Sequence, residues 1–412
     1  MPYKDNQFTN NTTDAPAAAA GAPDKSDEPI KLDGVSVKTG GKKTPFYLQG
    51  FFILCVFSLI CLVLFFVYRL SPTFSEFCVR YIAGPLRMIL GALTSVIPFS
   101  LAESIILLLP LGVIIFYVKM FRDTKHDESG QVFKKYRRIL ISLLLILINT
   151  FVLTVAPSYQ RLPLSENLRI ENRDITPERL KNTCEIMVYM LNRDAAHIYY
   201  GSDGQSYSRE NFCELSDEIL RCFDKFSGKY NFIYPVGFRA KSIALSEPMT
   251  YLHISGVYTY FTGEANININ YPDYVLPHTV AHEMSHARGI FNEGDANFVG
   301  FLVCLESDNP YVRYSGLMSI FPYITDALYY ANPQAYFEVM SKLSYNIFQE
   351  FDAFSAFFEK YSSSKAAQVS GAVNDTFLKA NGQAEGINSY GLVVDLTVNY
   401  LEAHYGDINA QT

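Results

Sequence analysis

Several features are scarce in this sequence of 412 residues, and each scarcity narrows the possible classes of protein. Basic residues do not outnumber acidic ones: 34 Lys and Arg stand against 41 Asp and Glu, so nothing favours a nucleic-acid partner. The seven cysteines contain no CxxC pair, which leaves packing in a core as their expected role. Residues 1–45 have almost no large apolar side chains, and we predict that they form a disordered tail.

Three stretches lack charge, or nearly lack it, over the length of a membrane crossing. Residues 46–68 and 139–160 carry no charge, and residues 101–121 carry only Glu103 near one end and Lys119 near the other. At a rise of about 1.5 Å per residue, each can cross a hydrocarbon core of about 30 Å. We predict a transmembrane region of three helices within residues 46–157, with an amphipathic segment at residues 71–100 joining the first two on the outside.

Basic residues set the expected orientation. They cluster before the first span and in the loop between the second and third spans (Lys42, Lys43, Lys119, Arg122, Lys125, Lys134, Lys135, Arg137 and Arg138). Because short cytoplasmic loops carry an excess of Lys and Arg, we expect both clusters on the cytoplasmic side. The N-terminus is then cytoplasmic, and residues 158–412 lie outside the cytoplasm.

The region after the spans is long enough for one domain with its own core. Thr176 and Pro177 predict the start of a helix that runs to about residue 199, and residues 209–226 predict a second one. Residues 242–270 are typical of strands separated by turns, and the pattern after residue 277 is mostly helical. Strands followed by helices, without regular alternation, predict an α+β fold.

The sequence His282-Glu283-Met284-Ser285-His286 carries the clearest chemistry. Two histidines at positions i and i+4 of one helix point the same way and can share a zinc ion. Glu283 lies between them, where it can accept a proton from a water held at the metal. The spacing therefore predicts two metal ligands and a general base.

The flanking residues predict how the chain enters and leaves this helix. Residues 263–270 alternate polar and apolar side chains, as a strand with one buried face does, and such a strand can serve as an edge to which a peptide pairs. Gly289 is suited to end the helix in a left-handed conformation. Asn292 is suited to cap a second helix from Glu293 to about Leu305, with Asp295 in the capping-box position.

A hydrolytic zinc site usually needs a third protein ligand, and three residues compete for this role. Asn292 occupies the place of the last ligand in the HExxHxxGxxH motif of metzincins, but an amide binds zinc poorly. Asp295 can bind zinc, although it also suits the helix start. Glu293 projects from the first helical turn toward the preceding helix and is favoured. His278 forms a row with the two motif histidines that spans about 12 Å, too long for one metal, so we assign it to the helix start or to supporting a ligand.

Glu293-Gly294-Asp295-Ala296-Asn297 is similar to the E-x-x-A-[DN] helix that carries the glutamate ligand of gluzincin peptidases. The whole chain resembles a bacterial membrane family of unknown function within the HExxH peptidase superfamily, through its spans, residues 263–266, the motif helices and residues 379–391. The resemblance implies a zincin-like domain in which His282, His286 and Glu293 hold zinc and Glu283 is the general base. The return from His286 to Glu293 is shorter than in most gluzincins, and Gly289 is the residue that permits it.

Two more roles complete the expected site. A tetrahedral oxyanion needs a donor, and Tyr390 is the favoured candidate over Tyr258, Tyr311 and Tyr314. Asn297 and Asp295 are expected to orient the ligands. The leading hypothesis is a zinc-dependent peptidase anchored in the bacterial cell membrane, acting outside the cytoplasm on an unknown peptide or protein. The alternative is a metal-bearing envelope domain that binds a ligand or a protein partner without catalysis.

Overall fold

The computed structural model describes residues 49–125, 127–362, 364–381, 383 and 390–406, with Tyr390 described by its backbone only. The predicted disordered tail of residues 1–45 lies outside the described residues. Four helical stretches, not the predicted three, are long and apolar enough to cross a membrane. They are α1 (Gly50–Leu70), the run Pro72–Ser95, α4 (Leu101–Thr124) and α5 (Gln131–Thr154).

The additional stretch is the segment that the sequence analysis took as an amphipathic linker. It consists of α2 (Pro72–Cys78), a π-helical turn (Val79–Ala83) and α3 (Gly84–Ser95). Of its most apolar window 39% is buried inside the protein, against 6% for α1. The count of three apolar stretches was too low because this segment, the least apolar of the four, still has the length and composition of a membrane-crossing helix, while its polar side chains pair with the rest of the protein.

These pairings run along the whole additional stretch. Near its start Arg80 donates to the Asn167 side chain (2.9 Å), and in its middle the Arg87 Nε donates to the Ala287 carbonyl (3.1 Å). At its end the Thr94 hydroxyl donates to the Thr262 carbonyl (3.0 Å). Pro72–Ser95 therefore lies against the C-terminal region over its full length.

The start of α4 is also fixed by the C-terminal region. The carboxylate of Glu264 accepts from the backbone amides of Leu101 (3.1 Å) and Ala102 (2.9 Å), two of the four amides that a helix leaves unpaired at its N-terminus. Lys241 pairs with the same carboxylate at 2.5 Å. Glu103, expected at a membrane interface, accepts from the backbone of Ala244 and Leu245.

The C-terminal region contains a small sheet in the order β3-β5-β4. The central strand β5 (Glu264–Ile267) pairs in parallel with β3 (Lys241–Ser242) and antiparallel with β4 (Gly256–Thr259). A separate hairpin joins β1 (Tyr199–Tyr200) and β2 (Ser206–Tyr207). The strand expected at residues 263–270 is present as β5. The expectation that it forms an edge is wrong, because β5 is central. The edge strand next to the motif helix is β4.

Helices make up most of the rest, so the region is more helical than the predicted α+β fold, with only a small sheet. They are α6 (Leu164–Leu168), α7 (Pro177–Ala195), α8 (Phe212–Lys229), α9 (Ser246–Thr250), α10 (Leu276–Ala287), α11 (Glu293–Leu305), α12 (Pro310–Ala331), α13 (Pro333–Met340), α14 (Tyr345–Glu359), α15 (Lys365–Ala380) and α16 (Tyr390–Tyr405). The two predicted helices correspond to α7 and α8. The Thr176 side chain caps the first, as predicted.

One large apolar core holds the C-terminal region together. It is built mainly from α7, α8, α10, α11, α12 and α16, and Phe298, Phe301, Phe321 and Ile186 are among its fully buried members. The seven cysteines are free thiols, and Cys184, Cys222 and Cys304 are buried, as expected for residues that pack in a core. This core supports α10 and α11, the two helices that carry the candidate site.

Candidate metal centre

The two motif histidines lie on one face of α10, in its second half. Pro277 occupies the first turn of the helix. The Nε2 atoms of His282 and His286 are 3.1 Å apart. Two ligand atoms bound tetrahedrally to one zinc ion at about 2.0–2.1 Å are separated by about 3.3 Å, so this spacing suits a shared metal.

A Schellman motif ends α10 and turns the chain back. The amide of Gly289 donates to the His286 carbonyl (3.0 Å), and the amide of Ile290 donates to the Ser285 carbonyl (3.1 Å). Gly289 has a φ of 93°, which glycine adopts without the strain of a Cβ atom. The predicted helix stop at Gly289 is confirmed.

The first residue of α11 is Glu293, whose side chain points back at the two histidines. Its Oε2 lies 3.3 Å from the His282 Nε2 and 3.9 Å from the His286 Nε2. Within the described chain these three residues are the one group of potential ligands whose atoms converge, all within 4.8 Å of one another. The arrangement therefore favours Glu293 among the three candidates for the third ligand.

The other two candidates have different surroundings. The Asn292 side chain accepts from the Asp295 amide (3.2 Å), so it caps α11 as predicted. Asp295 is not part of the converging group. Burial raises the pKa of Asp295 to about 7, and the charge of Arg161 partly offsets this rise. The Asp295 Oδ1 has no hydrogen-bond partner among the described residues.

A glycine allows α11 to approach α10 closely. A Cβ atom at Gly300 would lie 3.2 Å from both the backbone nitrogen of His282 and the Nε2 of His278. The His278 Nε2 donates to the Asn297 carbonyl (3.0 Å), and burial lowers the pKa of His278 to about 4. His278 thus joins the two helices and lies outside the converging group, and its role in supporting a ligand stays a prediction.

Local hydrogen bonds and charges set the orientation and protonation of the two histidines. The Nδ1 of His286 donates to the Ile290 carbonyl (2.6 Å), which leaves the Nε2 lone pair directed at the centre. Burial lowers the pKa of His286 to about 4, so the ring is neutral. Burial alone would lower the pKa of His282. This effect is outweighed by the hydrogen bond with Glu293, the charges of Glu283 and Glu293, and the nearby Asn297 side chain, so the pKa of His282 is raised.

Glu293 is held in its ionised form. Burial raises its pKa, but the hydrogen bond from His282 and the charges of both histidines outweigh this and lower it to about 2. The Glu293 side chain is 32% exposed and faces a cleft. An ionised carboxylate and two imidazole nitrogens form a donor set that zinc accepts.

Glu283 lies on the cleft wall, directly against the edge strand β4. It is 5% exposed, and a Cβ atom at Gly256 would lie 2.6 Å from its Cγ. Burial raises the pKa of Glu283 to about 8, with the charge of His282 and the Tyr258 amide acting in the opposite direction. Its Oε2 finds no hydrogen-bond partner in the described part of the chain. Gly256 makes room for a carboxylate that can exchange protons near neutral pH.

The cleft has a volume of about 850 Å³ and is formed by distant parts of the chain. One wall is β4, and another is the facing pair α10 and α11. A third wall comes from the end of α5 and the turn after it, through Phe151, Val155 and Tyr159, and a fourth comes from α15. The sequence analysis did not single out these last two walls, because contacts between segments so far apart leave no local pattern.

The four tyrosines considered as oxyanion donors lie in different surroundings. The side chain of Tyr390 lies outside the described residues. Tyr311 and Tyr314 donate to Ser206 and Glu350, away from the cleft. Tyr258 lines the cleft, and burial raises its pKa to about 12. Tyr159 also lines it, next to Glu293, whose charge adds to burial in raising the pKa of the phenol.

Two arginines brace the turn between α10 and α11 from the side of the apolar helices. Arg87, 0% exposed, contacts the Ala287 carbonyl and the Thr154 carbonyl at the end of α5. Arg161 donates to the Gly289 carbonyl (3.1 Å) and holds the carboxylate of Glu76 with two bonds of 2.9 and 2.7 Å. The position of Glu293, just after this turn, therefore depends on residues of α2 and α3.

A comparison with known protein families matches residues 79–398 to DUF3810, described as a protein of unknown function. The chain belongs to the DUF3810 family. The match covers α3 to most of α16 and includes every residue of the converging group. Searches of curated proteins and of solved structures found no match to this DUF3810 chain. The predicted resemblance to a family of unknown function is confirmed, while the link from DUF3810 to HExxH peptidases stays a prediction.

Proposed function

We propose that this DUF3810 protein is a membrane-anchored zinc peptidase that hydrolyses peptide bonds outside the cytoplasm. The observation that carries the proposal is the convergence of His282, His286 and Glu293 in a cleft where Glu283, between the two histidines, lies against the edge strand β4. Three ligands that leave a fourth position open are typical of catalytic zinc sites. A zincin-like active site on a mostly helical scaffold is part of the same proposal.

The donor set fits zinc. The separations of 3.1 and 3.3 Å between ligand atoms are close to the tetrahedral value, and the longer one of 3.9 Å closes with a small rotation of the Glu293 side chain. When bound, zinc polarises a carbonyl group and lowers the pKa of a coordinated water. Ile290 fixes the His286 tautomer that this binding requires.

Glu283 moves the proton. Hydrolysis joins the oxygen of a water molecule to the carbonyl carbon and breaks the bond from that carbon to the amide nitrogen. Glu283 takes a proton from the water and delivers it to the departing amine, so it ends the cycle ionised again. Its burial against Gly256 holds the carboxylate between the histidine pair and the strand edge.

The free edge of β4 supplies a binding site for an extended peptide. The Asn268 amide donates to the Ser255 carbonyl (2.9 Å), and residues of an antiparallel pair alternate between bonded and unbonded positions. Gly256 and Tyr258 therefore direct their backbone groups away from β5, where no other strand of the described residues pairs with them. A substrate strand that pairs there runs past Glu283 and the ligand trio.

The contacts of the apolar helices support an orientation in the membrane. The end of α1, the start of α4 and the end of α5 all contact the C-terminal region, through Arg69, Leu101 and Phe151. The basic loop between α4 and α5 lies at the other end of these helices. We infer that α1, α4 and α5 cross the membrane with that loop in the cytoplasm. Pro72–Ser95, bound along its length to the C-terminal region, then lies at the outer surface.

The test uses the whole chain, purified in detergent, because the site is braced by α2 and α3. We expect about one equivalent of zinc by elemental analysis, and less than about a tenth of an equivalent would overturn the metal assignment. Glu283→Gln is expected to retain zinc and to lose at least about 10²-fold in the cleavage of a peptide library. Glu171→Gln, an exposed carboxylate, is the matched control. Retained zinc without cleavage by the unaltered chain would favour the non-catalytic alternative.

A further inference from the structure

The lengths of the apolar helices set the depth of the candidate site relative to the membrane. In α4 the first charge on the side of the basic loop is Lys119, eighteen residues after Leu101, and in α5 Arg138 lies sixteen residues before Thr154. At about 1.5 Å per residue these stretches measure about 27 and 24 Å, no more than a hydrocarbon core of about 30 Å. Any tilt of the helices shortens their reach further. In helices that cross the membrane as proposed, Leu101 and Thr154 therefore lie at the boundary of the hydrocarbon core that faces the C-terminal region.

One wall of the cleft stands at this boundary. Phe151 and Val155, within one turn of Thr154, line the cleft. The Phe151 ring contacts Tyr260, which follows β4, at 5.6 Å between centroids, and Phe377 of α15 at 6.1 Å. Tyr260 and Phe377 also line the cleft. The aromatic end of the cleft, defined by Phe151, Tyr260 and Phe377, is therefore level with the surface of the hydrocarbon core.

An apolar row on α15 leads from this boundary along the cleft. Val369, Val373 and Phe377 recur every four residues, so they share one side of the helix, and all three side chains are exposed. Val373 and Phe377 line the cleft. The Arg69 side chain at the end of α1 donates to the Ala380 carbonyl (2.7 Å), which fixes this end of α15 to the outer end of a proposed span. Exposed apolar surface is unfavourable in water, and a row that begins at the level of the lipid and continues into the cleft suits an apolar chain that leaves the bilayer.

The distance from the aromatic end of the cleft to the proposed chemistry is short. Glu283 lies against Gly256, and Gly256 is four residues before Tyr260 along the chain. An extended chain rises about 3.3 Å per residue, so a peptide that pairs with the edge of β4 covers this separation of about 13 Å with about four residues. A peptide bond held beside Glu283 is therefore about four to six residues from the hydrocarbon boundary.

We infer that the substrates of the proposed peptidase are polypeptides anchored in the same membrane, and that cleavage occurs in an extended segment about four to six residues from the end of their transmembrane helix. This inference rests on the proposed function. Confinement to the bilayer raises the effective concentration of an anchored chain at the cleft. A folded protein in the water phase has to unwind a segment beside the lipid headgroups to reach the same strand edge.

The depth of the cleft can be measured without turnover. The chain has no tryptophan, so a single introduced Trp reports on its own surroundings. Phe377→Trp and Tyr260→Trp place the reporter at the aromatic end of the cleft, on two different walls. Leu144→Trp, exposed in the middle of α5, is the standard for a deep position in lipid, and Tyr199→Trp, exposed on the β1–β2 hairpin, is the standard for water.

Bromines attached to lipid acyl chains quench the fluorescence of nearby Trp in nanodiscs. We expect lipids brominated near the headgroup to quench Phe377→Trp and Tyr260→Trp most strongly. Lipids brominated near the ends of the acyl chains are expected to quench Leu144→Trp most strongly, and neither lipid is expected to quench Tyr199→Trp. Absence of quenching at both aromatic-end positions, with Leu144→Trp quenched, would overturn the inference, because the cleft would then lie away from the membrane.

Binding of an anchored chain is measured in the Glu283→Gln chain that also carries Tyr260→Trp. The probes are peptides with one apolar transmembrane helix and an extended segment either before or after it, because the strand edge accepts a chain in either direction. A nitroxide one or two residues beyond the helix is expected to quench the reporter saturably, whereas a nitroxide placed well beyond the scissile position quenches it only in proportion to the probe. Equal quenching by the two nitroxide positions in both probes would overturn the inference.

Turnover by the unaltered chain separates this inference from the proposed function. With random sequences in the extended segment, cleavage sites mapped by mass spectrometry are expected to cluster about four to six residues from the helix. The same segments without the helix are the matched control, and their cleavage sites are expected to be spread along the segment. Sites spread equally in the anchored probes would overturn the inference and leave the peptidase activity intact. Saturable binding of the anchored probe without cleavage of any peptide would count against the peptidase activity and leave the anchored chain as the partner of the cleft.

Discussion

The identity of the third metal ligand can be tested by two substitutions in the first turn of α11. Glu293→Gln removes the carboxylate that lies 3.3 and 3.9 Å from the two histidine nitrogens. Asp295→Asn makes the same chemical change two residues later, where the carboxylate is outside the converging group. Both changes preserve side-chain size, so a difference between them reports on ligation.

The expected magnitude follows from the number of ligands. Structural zinc sites of four ligands bind with apparent free energies of about 10–16 kcal/mol, or about 2.5–4 kcal/mol for each ligand. Loss of one ligand then weakens zinc affinity by about 10²–10³-fold. Glu293→Gln is expected to show this loss, whereas Asp295→Asn stays within about threefold of the unaltered chain, since no ligand atom is removed.

The assay is a competition between the purified full chain and a zinc chelator of known affinity, followed by the chelator's absorbance. Visible absorption spectra of a cobalt-substituted chain give a second readout, because ligand number and geometry affect them while overall stability does not. Unchanged affinity in Glu293→Gln together with a large loss in Asp295→Asn would refute the assignment and make Asp295 the ligand. Equal losses in both would show that the start of α11, rather than one carboxylate, controls the metal.

Three further substitutions probe the surroundings of the site. Gly256→Ala places a Cβ atom 2.6 Å from the Glu283 Cγ, so we expect the chain to retain zinc while kcat falls at least about tenfold. The control Gly228→Ala, whose Cβ meets no described atom within 4 Å, is expected to leave kcat unchanged. Equal kcat in both variants would show that Glu283 does not depend on this contact. Arg87→Met leaves the Thr154 and Ala287 carbonyls without the donor that Arg87 supplies. We expect this change to destabilise the chain by about 2–4 kcal/mol, measured by thermal unfolding in detergent. An unchanged melting temperature would show that the bracing is dispensable. Asn292→Ala removes the N-cap of α11, and we expect it to lower the free energy of unfolding by about 0.5–2 kcal/mol and to weaken zinc binding. A loss of stability at unchanged zinc affinity would show that the cap does not control the position of Glu293.

The parts of the site that the sequence predicted are those governed by local geometry. The common face of His282 and His286 follows from helical periodicity, and the stop at Gly289 follows from the left-handed conformation that glycine tolerates. The cap at Asn292 uses the bond expected of an N-cap residue. Because these signals lie within one short segment, they also placed Glu293 at the beginning of α11.

The parts that the sequence did not predict depend on contacts between distant segments. The edge role of β4 is fixed by the order of strands in the sheet, and strand order is not encoded in the alternation of residues 263–270. The walls formed by Phe151 and by α15 require segments more than 200 residues apart to meet. No periodicity within either segment indicates its partner.

The sequence analysis did not count Pro72–Ser95 among the apolar stretches because its charged residues make it amphipathic. Along the chain, Glu76, Arg80 and Arg87 mark Pro72–Ser95 as a poor membrane helix. In the fold Glu76 binds Arg80 and Arg161, and Arg87 donates to the backbone carbonyls of Ala287 and Thr154, so each of these charges has a polar partner. Charge counted along a sequence does not reveal which charges are paired in the fold.

The bracing of the α10–α11 turn by Arg87 and Arg161 has a consequence for biosynthesis. A ribosome makes α1 to α5 before the motif helices, so the residues that hold the turn are in place when α10 and α11 emerge. Glu264 likewise needs the start of α4 as its partner. A newly made chain that fails to insert its first helices lacks the parts that align Glu293 with the histidines. Under the proposed function, the order of synthesis therefore delays the assembly of the metal centre until the first helices have folded.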